Sequence, residues 1–244
     1  MSKIHPYCLT IAGFDPSGGA GVIADCKTFE QLNVHGLSVI TCNTIQTEDQ
    51  FFSYNWVDFE IISDQIIKLI DRYPIRFIKI GLIKDSETLL AILQLIHKRV
   101  KSPVVIWDPI VCPTYDLKGG NEEKKFENNF SEILKMISVI TPNLPEFKLL
   151  FGEINPENSD CTVYLKGGHS EDKGKDFLYH NQKMYPFNPK INTSLKKHGT
   201  GCIFSSALVA FLSREFPLNK SCYRAKHYVE KRILSNKTLL AYHK

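Results

Sequence analysis

A chain of 244 residues with 43% hydrophobic and 23% charged residues can bury a large core unaided, which excludes disordered and collagen-like classes. Thirty basic against 26 acidic residues leave a net charge of +4 with the signs interspersed, too weak a balance to point to nucleic acid or an anionic membrane. Seven cysteines, at 8, 26, 42, 112, 161, 202 and 222, form an odd set without close pairs, so neither a zinc site nor a disulfide framework is expected. The start lacks a secretory signature and no apolar run is long enough for a bilayer, which makes a reducing cytoplasm the expected location.

Short apolar, β-branched runs alternate with helix-period segments along the chain. YCLTIAG (7–13) reads as a buried strand closed by glycine, and Gly21 to Leu32 as a helix with Val22, Cys26 and Phe29 on one face. LSVITCNTIQ (37–46) reads as a second strand. Glu60 to Tyr73 places Ile61, Ile62, Ile66, Leu69 and Ile70 on one stripe of an amphipathic helix. Strands RFIKIG (76–81) and VVIWDP (104–109) flank a helix over Glu87 to Val100. A polar-faced helix over Asn121 to Ile137 precedes a strand at VITPN (139–143), and CTVYLKGG (161–168) is a strand ending in two glycines. FLYHNQKMYPF (177–187) reads as a hairpin turning at Asn181, and helices over Gly201 to Arg214 and Leu218 to about Ser235 close the chain. LKGG occurs at 117–120 and at 165–168, but only the second copy follows a strand-like run, so the pair is coincidence rather than a repeat. Strands and helices alternating in this way imply parallel crossover units, hence one α/β domain over residues 1–244 with a mostly parallel sheet.

Ligands of such sheets bind beyond the carboxyl ends of the strands. In KKHGTGC (196–202) a glycine turn opens a helix and leaves the amides of Gly199, Thr200, Gly201 and Cys202 free to cup phosphate oxygens at the positive end of the helix dipole. The same field is expected to lower the Cys202 thiol pKa, with Lys197 and His198 adding positive character. From this segment alone a binding cup and a plain tight turn are equally good readings. AGFDPSGGAG (12–21) puts a second glycine cluster at another strand end, with Asp25 one helical turn further on and able to face the same crevice. Asp108, Asn143, Glu146 and Lys166 also follow strand-like runs; each alone is an ordinary cap, turn or surface residue, and together they suit a magnesium–polyphosphate site. Neither a P-loop nor a GxGxxG fingerprint occurs.

GFDPSGGAG, TPNLPE, KGGH and HGTGC, in this order from Tyr7 to about Leu212, resemble the hydroxymethylpyrimidine/phosphomethylpyrimidine kinase family of the ribokinase-like superfamily, some relatives of which phosphorylate pyridoxal. The resemblance implies a three-layer ribokinase-like α/β fold, ATP as phosphate donor, Mg²⁺ as cofactor and a homodimer. It implies that Gly13, Asp25 and Gln46 line the pyrimidine pocket, that Asn143, Lys166 and Thr200 contact the nucleotide, and that Asp108 and Glu146 serve the metal. Gly199 and Gly201 then form the anion hole, and Cys202 accepts the hydroxymethyl proton. Only twenty positions separate Glu146 from Lys166, where the family has a longer helical stretch. The insert DLKGGNEEKK after Asp108 and an ending without the family's glycine-rich segment are further departures. Three other readings remain open: a pyridoxal kinase with the same site, against which Gln46 speaks; a pyrimidine-binding homologue with a weakened nucleotide site; and, last, a cysteine hydrolase using Cys202 and His198.

Overall fold

The structure is a computed structural model that describes residues 5–110, 129–152, 156–159, 161–169 and 174–244. The first LKGG copy, Cys112, the insert after Asp108 and the start of the helix expected from Asn121 lie outside these residues.

A single nine-stranded sheet forms the centre, in the order β3-β2-β1-β4-β5-β6-β7-β8-β9. Its parallel part comprises β1 (Tyr7–Phe14), β2 (His35–Gln46), β4 (Phe77–Ile80), β5 (Val104–Trp107), β6 (Val139–Ile140) and β7 (Thr162–Leu165). Antiparallel strands extend both edges, β3 (Phe51–Trp56) beside β2, and the hairpin of β8 (Asp176–His180) and β9 (Lys183–Phe187) beyond β7. The hairpin turns at Asn181 and Gln182, whose φ of 52° and 59° give the left-handed pair that matches strand twist.

Seven α-helices among the described residues cover the two faces: α1 (Gly21–Gln31), α2 (Phe59–Arg72), α3 (Ser86–Arg99), α4 (Phe130–Met136), α5 (Leu144–Phe151), α6 (Thr200–Ser213) and α7 (Leu218–Ile233). Strand side chains alternate between them. Leu9, Ile11, Val39, Ile78, Ile80, Val105, Trp107 and Val163 pack with α2 to α5, whereas Cys8, Ile106, Val139, Tyr164 and Leu178 pack with α1, α6 and α7. Leu9, Ile11, Ile78 and Ile80 are buried completely, each worth about 1.5–3 kcal/mol of transfer free energy. Eleven of the fourteen residues of α6 are buried, which fixes that helix, and its N-terminus, against the sheet.

Neither strand β3 nor helix α5 announces itself in the residue pattern. Strand β3 shows exposed side chains at Phe52, Ser53, Tyr54 and Asn55, so no buried alternation betrays it. Helix α5 begins within the proline-bearing TPNLPE, and Pro145 sits at its second position, where a missing amide hydrogen costs nothing. On α2 the stripe is narrower than expected: Ile62 and Ile66 are buried, while Ile61 is exposed.

Strand order reverses at β1. The chain leaves it through α1 to β2 on one side and returns through α2 to β4 on the other. A crevice at the carboxyl ends of β1 and β4 follows from that reversal.

Candidate active site

Both glycine-rich turns arise from contacts a side chain would block. Gly21 has φ +59°, and a Cβ there would lie 2.2 Å from the Gly13 carbonyl oxygen. Gly199, the N-cap of α6 with φ +73°, would place a Cβ 2.0 Å from the Gly19 carbonyl oxygen. The GFDPSGGAG turn therefore packs backbone to backbone against the HGTGC turn. In α6 the first intrahelical bond runs from the Ile203 amide to Gly199 O at 3.0 Å, and no side chain caps the helix. The preceding amides of Thr200, Gly201 and Cys202 have no acceptor within the helix. A Cβ built on Gly201 would lie 3.1 Å from Lys166 Nζ and 3.7 Å from Asp108 Oδ2, so this cup opens beside a charged pair.

Asp108 follows β5 and is buried. It accepts from Lys166 Nζ at 2.8 Å, Thr141 Oγ1 at 3.1 Å and Ser205 Oγ at 3.2 Å. Burial pushes its carboxyl up, but Lys166 and Lys79 outweigh that and hold it below the usual range. Lys166 follows β7, held by its amide donating to Pro142 O, and its Nζ also lies 3.7 Å from Glu146 Oε2. Burial alone would lower Lys166; the facing carboxylates of Asp108 and Glu146 raise it instead. Asn143 and Glu146 form a capping box on α5: Glu146 N donates to Asn143 Oδ1 at 2.8 Å and Asn143 N to Glu146 Oε2 at 2.7 Å. Burial raises the Glu146 carboxyl. The short span between Glu146 and Lys166 thus still supplies a helix, and it delivers acid, amide and lysine to one place.

The expectation of an acidified Cys202 is overturned. The thiol lies in the first turn of α6, yet burial pushes it up to about 11, with Asp25 and Asp108 adding to the rise. Lys79 and the Gly21 amide act the other way and do not compensate. Helix-terminal dipoles act on a group that water no longer solvates, and at that value about one thiol in ten thousand is ionised at pH 7.

Asp25 departs from expectation too. It does not face an open crevice but is fully buried, accepting from Lys79 Nζ at 2.8 Å, from Thr10 Oγ1 at 2.5 Å and from the Ser206 hydroxyl. Lys79 and Asp25 are both completely inaccessible. A lysine inside the apolar strand FIKI is the sequence signal that could have pointed to this buried pair.

Lys197 and His198 contribute no free positive charge. Lys197 Nζ donates to Asn236 O at 2.8 Å, Asn236 Oδ1 at 2.7 Å and the Thr238 carbonyl, and His198 Nε2 pairs with Asp15 Oδ2 at 2.9 Å. No hydrogen bond among the described residues joins His198 to Cys202, which leaves the hydrolase reading without its pair. Gly13, next to last in β1, lies under Leu82, whose Cδ2 would lie 3.0 Å from a Cβ at that glycine. Gln46 ends β2 half-buried, at a register shift against Phe51 and two residues past Thr44, whose hydroxyl donates to Phe14 O. Thr200 is the first residue of α6. The structure brings Gly201, Lys166, Asp108, Glu146 and Asn143 together, while Gly13 and Gln46 stand at the ends of β1 and β2.

The mostly parallel nine-stranded sheet between two helical layers has the α/β architecture of the ribokinase-like class, and similarity to known proteins identifies a phosphotransferase within it. The family model "Phosphomethylpyrimidine kinase" matches residues 15–244. A hydroxymethylpyrimidine/phosphomethylpyrimidine kinase of Aquifex aeolicus is 31% identical over 95% of this chain and 95% of its own. Among solved structures, a phosphomethylpyrimidine kinase from Clostridium difficile superimposes with a TM-score of 0.74 at 28% identity, covering 93% of this chain and 99% of that one. The pyridoxal kinase of Staphylococcus aureus in complex with ADP reaches a TM-score of 0.84 at 23% identity over 99% of this chain and 94% of its own, a likeness of fold. The chain belongs to the phosphomethylpyrimidine kinase family.

Proposed function

We infer that the protein transfers the γ-phosphoryl group of ATP to the hydroxymethyl oxygen of hydroxymethylpyrimidine, and then phosphorylates the monophosphate, supplying thiamine synthesis. The observation that carries this reading is the placement of Gly201 in the α6 amide cup beside the Lys166–Asp108 pair. Both stand at the sheet end where β1 presents Gly13 and β2 presents Gln46.

The amides of Gly199 to Cys202 receive the migrating phosphoryl oxygens, and Lys166 neutralises charge on the donor. Asn143 and Thr200 orient the nucleotide. Gln46 donates and accepts from one amide, which matches an aminopyrimidine edge. Cys202 could take the hydroxyl proton only as its thiolate, a form that burial keeps rare by pushing the thiol up to about 11. The small ionised fraction makes its contribution secondary to positioning and charge neutralisation. No group of three or more His, Cys, Asp or Glu that could hold a metal exists among the described residues. Glu146 and Asp108, the latter already accepting from Lys166, Thr141 and Ser205, are the residues that would serve a Mg²⁺ ion carried in by the nucleotide phosphates. When bound, the ion neutralises charge on the phosphates.

Six described cysteines are free, and no helix among the described residues is long and apolar enough to cross a membrane, both compatible with the cytoplasm. The β2–β3 edge leaves Ile45, Phe52 and Tyr54 exposed, which supports a homodimer through that edge.

Side-by-side kcat/KM measurements on hydroxymethylpyrimidine and pyridoxal with MgATP test the reading. A preference for the pyrimidine is expected. A preference for pyridoxal would reassign the substrate, and no ATP-dependent product with either would leave a binding homologue.

A further inference from the structure

Asp15 presents two carboxylate oxygens with about four lone-pair sites. Three donors come from its own turn: Ser17 N to Oδ1 at 2.8 Å, Ser17 Oγ to Oδ2 at 2.9 Å and Ala20 N to Oδ2 at 2.8 Å. The fourth partner, His198 Nε2 at 2.9 Å, comes from 183 residues away. Asp15 is buried and the His198 side chain nearly so.

His198 is anchored from its other side as well. Its amide donates to Leu239 O at 2.9 Å, and the preceding Lys197 spends its ammonium on Asn236 and Thr238. The residue that follows is Gly199, whose α-carbon lies against Gly19 O, while a Cβ on Gly19 would meet His198 Cδ2 at 2.7 Å. Residues 197–199 are thus tied to the C-terminal segment on one side and to the first glycine turn on the other. The α6 amide cup begins at the end of that tether.

We propose that the Asp15–His198 contact is a positioning clasp between the two glycine turns: it sets where the α6 amides stand relative to the acceptor end of β1. It acts on turnover rather than on the affinity of either ligand. The proposal rests on reading residues 199–202 as the turn that receives the phosphoryl group. His198 is a positioning residue, because its ring nitrogen is committed to Asp15. Acceptor contacts are expected from Gly13 and Gln46, and donor contacts from Asn143, Lys166 and Thr200, so each ligand keeps its own set when the clasp opens. What is lost is alignment between them, and a displacement near 1 Å costs on the order of 10²-fold in rate.

The test compares His198→Ala, His198→Gln and the unaltered protein by kcat, by KM for each substrate, and by hydrogen exchange at the Ile203 amide, the first bonded amide of α6. In His198→Ala we expect kcat to fall roughly 30- to 100-fold, each KM to stay within about threefold, and the Ile203 amide to exchange about tenfold faster or more. Glutamine carries a donor at comparable reach and should restore most of both. If His198→Ala fails to fold, His198→Asn reports in its place, since it keeps a polar side chain too short to span to Asp15. An unchanged kcat, a rise confined to KM, unchanged Ile203 exchange, or failure of glutamine to rescue would each overturn the clasp. Absence of ATP-dependent phosphorylation in the unaltered protein would sink the kinase reading instead, and the Ile203 comparison would still decide the clasp.

Discussion

Replacing Lys79 with methionine removes the cation paired with Asp25, at 2.8 Å in a site where both side chains are fully inaccessible. Methionine nearly matches the lysine stem in volume, so the change isolates charge from packing. Breaking a buried pair by removing one partner costs about 3–5 kcal/mol, because a carboxylate is left uncompensated. Thr10 and the Ser206 hydroxyl still donate to Asp25, which favours the lower end, about 3 kcal/mol. With a urea m-value of about 3 kcal/mol per molar, the unfolding midpoint should drop by roughly 1 M. The double variant Lys79→Met/Asp25→Asn removes both charges and should regain at least half of that loss. Equilibrium urea unfolding followed by circular dichroism provides both midpoints. A shift below about 0.3 M for the single variant, or a double variant no more stable than the single, would refute the idea that this pair is held by mutual neutralisation.

Three further outcomes follow from the site geometry. Gly199→Ala would drive a Cβ to 2.0 Å from Gly19 O at a φ of +73°, so steady-state kinetics should show at least a tenfold loss of kcat. The lowered carboxyls of Asp15 and Asp108 contribute stability that is complete above the unfolded value near 4 and is lost as pH falls through their folded values; the urea midpoint should therefore decline below about pH 4. Glu146, raised on folding, acts in the opposite sense, and a flat midpoint in acid would contradict this sign. Cys202, buried and with a pKa of about 11, should react with iodoacetamide at pH 7 far more slowly than the half-exposed Cys161, as peptide mass spectrometry would report.

The parallel strands were legible because a strand covered on both faces must be a nearly continuous apolar run, as CLTIA and VVIW are. The β8–β9 hairpin was legible through Asn181, which tolerates positive φ. Strand β3 was not, because an edge strand open to solvent needs no buried face. Helix α5 was masked by Pro142 before its N-cap and Pro145 inside its first turn, although Asn143 followed three positions later by Glu146 carries the capping-box signature. The location of Lys166 and Asp108 at strand ends could be read from polar residues after apolar runs, and the 199–202 turn from glycines opening an apolar helix. What linear reading could not supply was partnership. Whether Asp25 faces a crevice or Lys79 depends on a contact 54 residues away. Whether a helix-terminal thiol is acidified depends on burial, which outweighs the dipole at Cys202.

The central claim is that the amides of residues 199–202 receive a phosphoryl group travelling to an acceptor held near Gly13 and Gln46. A crystal structure with hydroxymethylpyrimidine and a non-hydrolysable ATP analogue tests it most directly. The expected result is a terminal phosphate hydrogen-bonded to those amides with the hydroxymethyl oxygen about 3–3.5 Å from its phosphorus. A terminal phosphate bound away from the α6 N-terminus, or a heterocycle seated far from it, would contradict the account.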